Sequence, residues 1–327
     1  MPVFIKNLIT EKRIFGQTVQ KTKAKTFYIF HQNKYHYNKV MQLRVLGSGT
    51  SNGVPVIACQ CKVCRSLNPK NKRNRASVYI RTEDNKYILI DIGPEFRLQA
   101  LKYQVNQIDA LLLTHSHADH LHGIDDLRSY SSVCFKRTEA NASFFDAAPI
   151  PIYTNHQTIK DVENRFSYFF VPPKEGGGHA KVQLIEAKES FNIGKTKITP
   201  IPMMHGHLQT LGWLLTEEKN GKPQSIAYLT DCSYISQESI DLIHKNCGQL
   251  KVLIIDALRV KEHSTHFNYL QAMETAEKIG AQKVYFTHMT HHDGHEETKK
   301  YIKKHLKEFP KLTKKVMPSW DGLLIKI

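Results

Sequence analysis

Short apolar runs rich in β-branched and aromatic residues recur along the chain from Met41, each bounded by polar or turn residues. The first, in "MQLRVLGSGTSNG", ends in a Gly/Ser turn. Others are "SVYIR" (77–81), "KYILIDIG" (86–93), "ALLLT" (110–114), "SIAYLTD" (225–231), "KVLIIDA" (251–257) and "KVYFTH" (283–288). Their length and composition predict strands. Stretches with helical character lie between them, at 161–170, 236–246 and 268–280. Residues 131–149 and "PPKEGGGH" (172–179) read as loops, and no short-period repeat is present. Strands alternating with helices predict an α/β fold, sheets covered by helical layers. Residues 1–40 show no clear period or cap signal, so the folded part is expected to be one domain, 41–327.

The polar residues that end these runs form a second pattern. Asp91, His115, Asp231, Asp256 and His288 each stand at the C-terminal end of an apolar strand. In α/β sheets, ligand crevices form beyond strand ends, where side chains from distant segments converge. Five acidic or imidazole groups in that position predict a site.

Composition bounds what the site serves. The chain has 327 residues, 41% of them hydrophobic, enough for a sizeable core. No stretch approaches the ~20 continuous apolar residues of a membrane span. The N-terminal residues lack a secretory h-region and cleavage site, so the expected location is cytoplasmic. The formal net charge is +16. Residues 1–40 hold eight Lys/Arg against one acid, Glu11, and are expected to be a disordered basic extension. Residues 299–315 hold eight lysines. Such charge either faces solvent or attracts RNA or another anionic ligand. Cys59, Cys61 and Cys64 are too closely spaced for a disulfide framework and point to metal, whereas Cys134, Cys232 and Cys247 read as small apolar residues.

The densest chemistry is "LLLTHSHADHLHG", residues 111–123. His115 and His117, two apart in a tight segment, can reach one cation. Asp119 and His120 follow and can turn toward a second. Imidazole nitrogen and carboxylate oxygen suit Zn²⁺, Mn²⁺ or Fe²⁺.

This H-x-H-x-D-H motif after an apolar strand resembles the signature of the metallo-β-lactamase fold superfamily, from Met41 to Ile327. The resemblance implies an αβ/βα four-layer sandwich and a binuclear hydrolase centre. It places His115, His117 and His205 on one divalent metal (zinc or manganese) and Asp119, His120 and His288 on the other. Asp231 would bridge the two. His207 competes with His205, but the spacing to "LGW" fits the family pattern better from His205.

Two branches of the superfamily compete. Transfer-RNA 3′-processing endonucleases (tRNase Z) share the seven ligands and a histidine ahead of a helix, a place that His266 fits rather than His263. The other branch is similar to the phosphoribosyl 1,2-cyclic phosphate phosphodiesterases, marked by C-x-C-x-x-C and a histidine three residues after the last ligand. "CQCKVC" and His291 match it, which implies a structural zinc on Cys59, Cys61, Cys64 and His291. "DIGPEFR", "GIDDLR", "DALR" and "DGLLI" also resemble this branch, while Ala58 replaces the glycine usual before the first cysteine.

The implied function is a phosphodiesterase acting on a small, cyclic phosphodiester such as a ribose cyclic phosphate or cyclic nucleotide. A hydroxide bridging two cations about 3.5–4 Å apart would attack phosphorus. Asp119 and Asp231 would orient it, and His266 would protonate the leaving oxygen. Arg97, Arg128 and Arg259 either contact phosphate, which the guanidinium fork suits, or pair a buried acid such as Asp125 or Asp126. The alternatives are a tRNase Z-like endonuclease and a non-catalytic nucleic-acid-binding module. Expected partners are the small diester, RNA under the second reading, a second copy of the chain in a homodimer, and no membrane.

Overall fold

The computed structural model describes residues 40–131, 148–171, 178–312 and 316–327. The basic extension, Cys134 and most of both proposed loops lie outside the described residues.

The chain opens with β1 (Gln42–Gly47), β2 (Ser77–Arg81) and β3 (Tyr87–Ile90). Helix α1 (Phe96–Tyr103) leads to β4 (Ala110–Leu112) and two single helical turns, α2 (Ala118–Leu121) and α3 (Arg128–Ser131). Then come β5 (Ile150–Thr154), α4 (His156–Arg165) and β6 (Val182–Glu186). An antiparallel run follows: β7 (Phe191–Ile193), β8 (Thr196–His205), β9 (Leu208–Lys219) and β10 (Lys222–Leu229). Helix α5 (Gln237–Cys247), β11 (Gln249–Asp256), α6 (Tyr269–Ile279) and β12 (Lys283–Thr287) alternate after it. The end is α7 (His295–His305), β13 (Val316–Pro318) and β14 (Leu324–Lys326).

Among the described residues the strands form two seven-stranded sheets, ordered β14-β1-β2-β3-β4-β5-β6 and β13-β12-β11-β10-β9-β8-β7. Each sheet is antiparallel in one half and parallel in the other. In the first, β14, β1, β2 and β3 pair antiparallel and β4, β5 and β6 continue in parallel. In the second, β7 to β10 are antiparallel and β11 to β13 parallel.

Period-two alternation decides the layers. In β11, Val252 and Ile254 face the other sheet, where Val45, Ile80, Leu112, Trp213 and Tyr228 meet. Leu253 and Ile255 face outward onto residues of α5 and α6, including Ile240, Ile243, Met273 and Ala276. Both faces are covered, which is why this strand reads as a continuous apolar run. The outer face of the first sheet is covered by Phe96, Leu121, Leu127 and Val162. The result is the four-layer αβ/βα sandwich.

Local signals set the helix ends. In α6, Asn268 accepts from the Gln271 N–H and the Gln271 side chain reaches back, a full capping box, and Gly280 closes the helix at φ 80°. The helix expected over 161–170 is displaced: α4 starts at His156, because the Asn155 side chain accepts from the Thr158 N–H at 2.8 Å. It stops at Arg165 and gives way to a tighter turn, Ser167–Phe169. Helix α1 was not anticipated, whereas α7 provides the solvated face expected of the lysine-rich segment. The lysines of α7 (Lys299, Lys300, Lys303 and Lys304) are exposed, while Ile302 packs on the core. No helix among the described residues is long and apolar enough to cross a membrane.

Candidate metal centre

The parallel halves of the two sheets bring their strand ends together. Asp91 follows β3, His115 follows β4, Asp231 follows β10, Asp256 closes β11 and His288 follows β12. Asp91, Asp231 and His288 have φ of 59°, 54° and 59°. A non-glycine residue pays sterically for this left-handed backbone, and such strain concentrates at functional sites. Here it turns the chain sharply off each strand. Close packing supports the turn after β4: a Cβ on Gly93 would lie 2.3 Å from the Asp119 carbonyl oxygen.

Ligand atoms of His115, His117, His205 and Asp231 lie within 4.8 Å of one another, and so do those of Asp119, His120, Asp231 and His288. Asp231 belongs to both groups, as a bridging carboxylate would. His207, the competitor of His205, is exposed. A fourth set, Asp231, Asp256, His266 and His288, extends the cluster to the candidate proton donor.

The imidazoles are oriented from behind. Thr114 Oγ1 donates to Asp91 and lies 2.9 Å from His115 Nδ1, whose proton it accepts. His120 Nδ1 donates to Asp91 Oδ2 at 2.7 Å, and His205 Nδ1 to the Thr265 carbonyl at 2.7 Å. Each ring is thereby left with its Nε2 lone pair directed into the cluster. Asp91, noticed in sequence only as a strand end, is the carboxylate that fixes His120.

The residues fit divalent cations. His120 Nε2 lies 3.2 Å from carboxylate oxygens of both Asp119 and Asp231 and makes no hydrogen bond to either. His115 Nε2, 3.6 Å from Asp231, is likewise buried and unpartnered. A lone pair facing two anionic oxygens in a dry site calls for positive charge between them. Titration tells the same story. Burial would lower His120 and His288, but Asp231 and Asp119 outweigh it, raising His120 well above the ordinary range and His288 to about 10. Burial lowers His115, which has the weaker carboxylate partner.

His266 is buried beside this cluster. Its Nδ1 lies 2.7 Å from Asp256 Oδ2, which also accepts the Cys232 N–H. Its ring centroid lies 4.5 Å from that of His205 and 4.8 Å from that of His288. His263 is exposed.

The cysteine group is separate. Sγ of Cys59, Cys61 and Cys64 lie 3.3, 3.5 and 3.4 Å from His291 Nδ1. The N–H of Cys64 lowers the Cys61 thiol to about 6, and burial raises Cys64 to about 11. The five described cysteines are free. Ala58, the departure from glycine, has φ 61°, a conformation that costs an alanine about 1–2 kcal/mol. Arg73, fully buried, donates to the carbonyls of Thr290 at 2.5 Å and Asp293 at 3.3 Å and so clamps the segment on which His291 sits.

The candidate arginines stand outside the clustered His, Asp and Cys groups. Arg97 and Arg128 are exposed, Arg97 beside Asp126. Arg259 is half-buried and donates to the carbonyls of Lys261 and Glu262. Arg165, which the sequence pattern does not single out, donates to the Ser116 carbonyl, while the Ser116 hydroxyl donates to Asp161. Burial first, and then the Arg165 charge among others, lowers His117. Its only sequence signal is its place at the end of an amphipathic helix.

Similarity to known proteins agrees with this geometry. An octanoyltransferase from Porphyromonas gingivalis is 36% identical over 254 residues, covering 77% of this chain. The chain spans only 46% of that relative's length. A crystal structure of a diphosphatase from the PhnP family superposes with a TM-score of 0.71 at 35% identity, covering 88% of this chain and 98% of that one. Human tRNase Z, short form, shares the fold with a TM-score of 0.57 at 18% identity, covering 87% and 98%. The family model for the β-lactamase superfamily domain matches residues 86–289, the span that runs from β3 to just past His288. With a four-layer sandwich and clustered His/Asp groups at its strand ends, the chain belongs to the metallo-β-lactamase superfamily.

Proposed function

We propose that this protein hydrolyses a phosphodiester linkage in a small molecule, using two divalent cations. His115, His117 and His205 would hold one, Asp119, His120 and His288 the other, and Asp231 both. A structural zinc would sit on Cys59, Cys61, Cys64 and His291. The observation that carries the reading is the shared Asp231, with His120 Nε2 set between two carboxylates and bonded to neither. When bound, such cations lower the pKa of water and withdraw charge from phosphoryl oxygens.

The chain's own residues do the rest. Asp119 and Asp231 fix the direction of the attacking oxygen through its hydrogen. His266, held by Asp256, presents Nε2 and delivers a proton to the departing oxygen. The 35% identical diphosphatase favours including diphosphates, in which the same phosphorus chemistry breaks a P–O–P bond.

The test is to incubate metal-loaded protein separately with a ribose cyclic phosphate, a 2′,3′-cyclic nucleotide, a nucleoside diphosphate ester and precursor tRNA. Turnover of one of the small substrates, with tRNA intact, is expected. Cleavage of tRNA alone would replace this reading with the endonuclease one.

A further inference from the structure

Next to the metal-ligand groups the strand-end edge carries a cleft of about 600 Å³. Its place follows from topology. Strands β4, β5 and β6 lie side by side and parallel, so their C-terminal ends share one edge. His115 and His117 follow β4. His156 and Gln157 follow β5, and Glu186 and Lys188 stand at the end of β6. The opposite wall is the start of β9, with His207 just before it, two residues beyond the ligand His205. Two hydrogen bonds fasten this wall to the metal edge: Asn155 Nδ2 donates to the Gln209 carbonyl at 3.1 Å, and Leu211 N to the Thr114 carbonyl at 2.9 Å. The rings of His117 and His205 are 5.2 Å apart where the two walls meet. The cleft therefore opens on the same strand-end edge as the proposed reaction centre.

Its chemistry differs from that of the centre. Lys188 Nζ lies 3.3 Å from Glu186 Oε2, so the one ammonium is offset by the one carboxylate, leaving no surplus cation for a further phosphate. His156 Nδ1 lies 3.7 Å from the same carboxylate oxygen, and both His156 and His207 are exposed. Exposed imidazole faces stack on nucleobases, and a carboxylate accepts from ribose hydroxyls. The volume lies within the range that holds a compact organic ligand.

We infer that this cleft binds the nucleoside of a nucleotide substrate, its base against His207 and its ribose hydroxyls on Glu186, while the phosphorus lies at the shared Asp231. The inference rests on the phosphodiester reading and narrows its substrate to nucleoside-bearing linkages. None of the residues used here belongs to the proposed ligand set or proton donor.

The test pairs two esters in the metal-loaded full chain: the p-nitrophenyl ester of uridine 5′-monophosphate, and methyl p-nitrophenyl phosphate, which has no nucleoside. Glu186→Gln and His207→Ala should each raise KM for the uridine ester about tenfold, the scale of one charged hydrogen bond or one stacked ring. Turnover of the methyl ester should stay at the wild-type rate. Equal effects on both esters, or none on either, would overturn the assignment. A second measurement does not depend on turnover: titration of uridine into protein with isotope-labelled histidines should shift the ring resonances of His156 and His207. Absence of those shifts overturns the subsite even if both esters are hydrolysed. Shifts present in a protein that hydrolyses neither ester would uphold the subsite and sink the phosphodiester reading instead.

Discussion

Two ligand clusters meet along one stretch of chain, at His288 and His291, and they are assembled in opposite ways. The His/Asp cluster gathers residues from strand ends of both sheets, all but His117 buried, and forces three of its supporting positions into left-handed backbone. It exists only after both sheets have formed. The cysteine cluster draws three ligands from six consecutive residues of one loop and needs a single distant partner. Its three thiols and one imidazole would make a closed set for a metal, the kind that adds folding energy, whereas sites with a shared carboxylate and mixed ligands keep positions for substrate. One cluster is positioned by the fold, and the other fastens a loop to it. Damage to the first should therefore appear in rate, and damage to the second in stability.

The largest effect is expected at Asp231. Asp231→Asn removes the one carboxylate common to both groups and leaves the surrounding strands intact. Turnover of a generic diester such as bis(p-nitrophenyl) phosphate should fall on the order of a thousandfold, the scale of losing a preorganised electrostatic group. Melting temperature should hold. Near-wild-type turnover at matched metal loading would remove Asp231 from the centre.

Cys59→Ser should do the reverse. Elemental analysis of anaerobically purified protein should show one fewer metal per chain than wild type. Melting temperature should drop by on the order of 5 °C, equivalent to a destabilisation of a kcal/mol or two in a chain this size. Turnover at full catalytic loading should change far less than in Asp231→Asn. Identical metal content in mutant and wild type would dissolve the contrast between the clusters.

How much of this contrast sequence reveals depends on chain distance. The ligand types were legible because they cluster locally, as in "HSHADH" and "CQCKVC", or end apolar strands, as do Asp231 and His288. The parallel-paired strands β3, β4, β10, β11 and β12 were legible because burial on both faces leaves an uninterrupted apolar run, whereas β5, β6 and β13 were not. Strands β7 to β9 were not, since their polar positions and prolines, such as Pro200 and Pro202 in β8, break that signal. Helix α1 was missed because its apolar residues are scattered: Leu98 and Leu101 face solvent. The supporting partners escaped for a different reason. Asp91 and His120 are twenty-nine positions apart, and Arg165 lies forty-nine from Ser116. Such pairings come from topology, which no local pattern encodes.

Arg165 gives the intermediate effect. Arg165→Ala removes the donor that holds the Ser116 carbonyl and the positive charge beside His117, without touching a ligand. Loss of such an outer support lowers metal affinity or activity about tenfold at the low end of its range. Metal titration should show the weakening at the group containing His117 and leave the cysteine group unchanged. Arg165→Lys, which keeps the charge and one donor, should recover part of the loss. Equal weakening at both groups would mean that the variant has loosened the fold rather than the site.

The smallest effect is expected where neither cluster is touched. Residues 1–40 carry eight basic side chains and none of the proposed ligands. Met41 is buried, its carbonyl accepts the Ile327 N–H at 3.1 Å, and β1 pairs with β14 on one side and β2 on the other. Among the described residues, β1 is thus paired on both sides from Met41 onward. We propose the domain boundary there, and a chain beginning at Met41 should fold, bind its metals and turn over a small diester at the full rate. What it should lose is salt-sensitive binding to long polyanions, because counterion release scales with the number of cationic contacts removed. The salt dependence of RNA binding by the full and shortened chains measures this directly, as a shallower slope for the shorter one. A shortened chain that is insoluble, or slow on the small diester, would show that the extension supports the sandwich and that the boundary is misplaced. Loss of precursor tRNA cleavage alone would make the extension an RNA grip, and would move the proposed substrate from the nucleoside cleft to the RNA end.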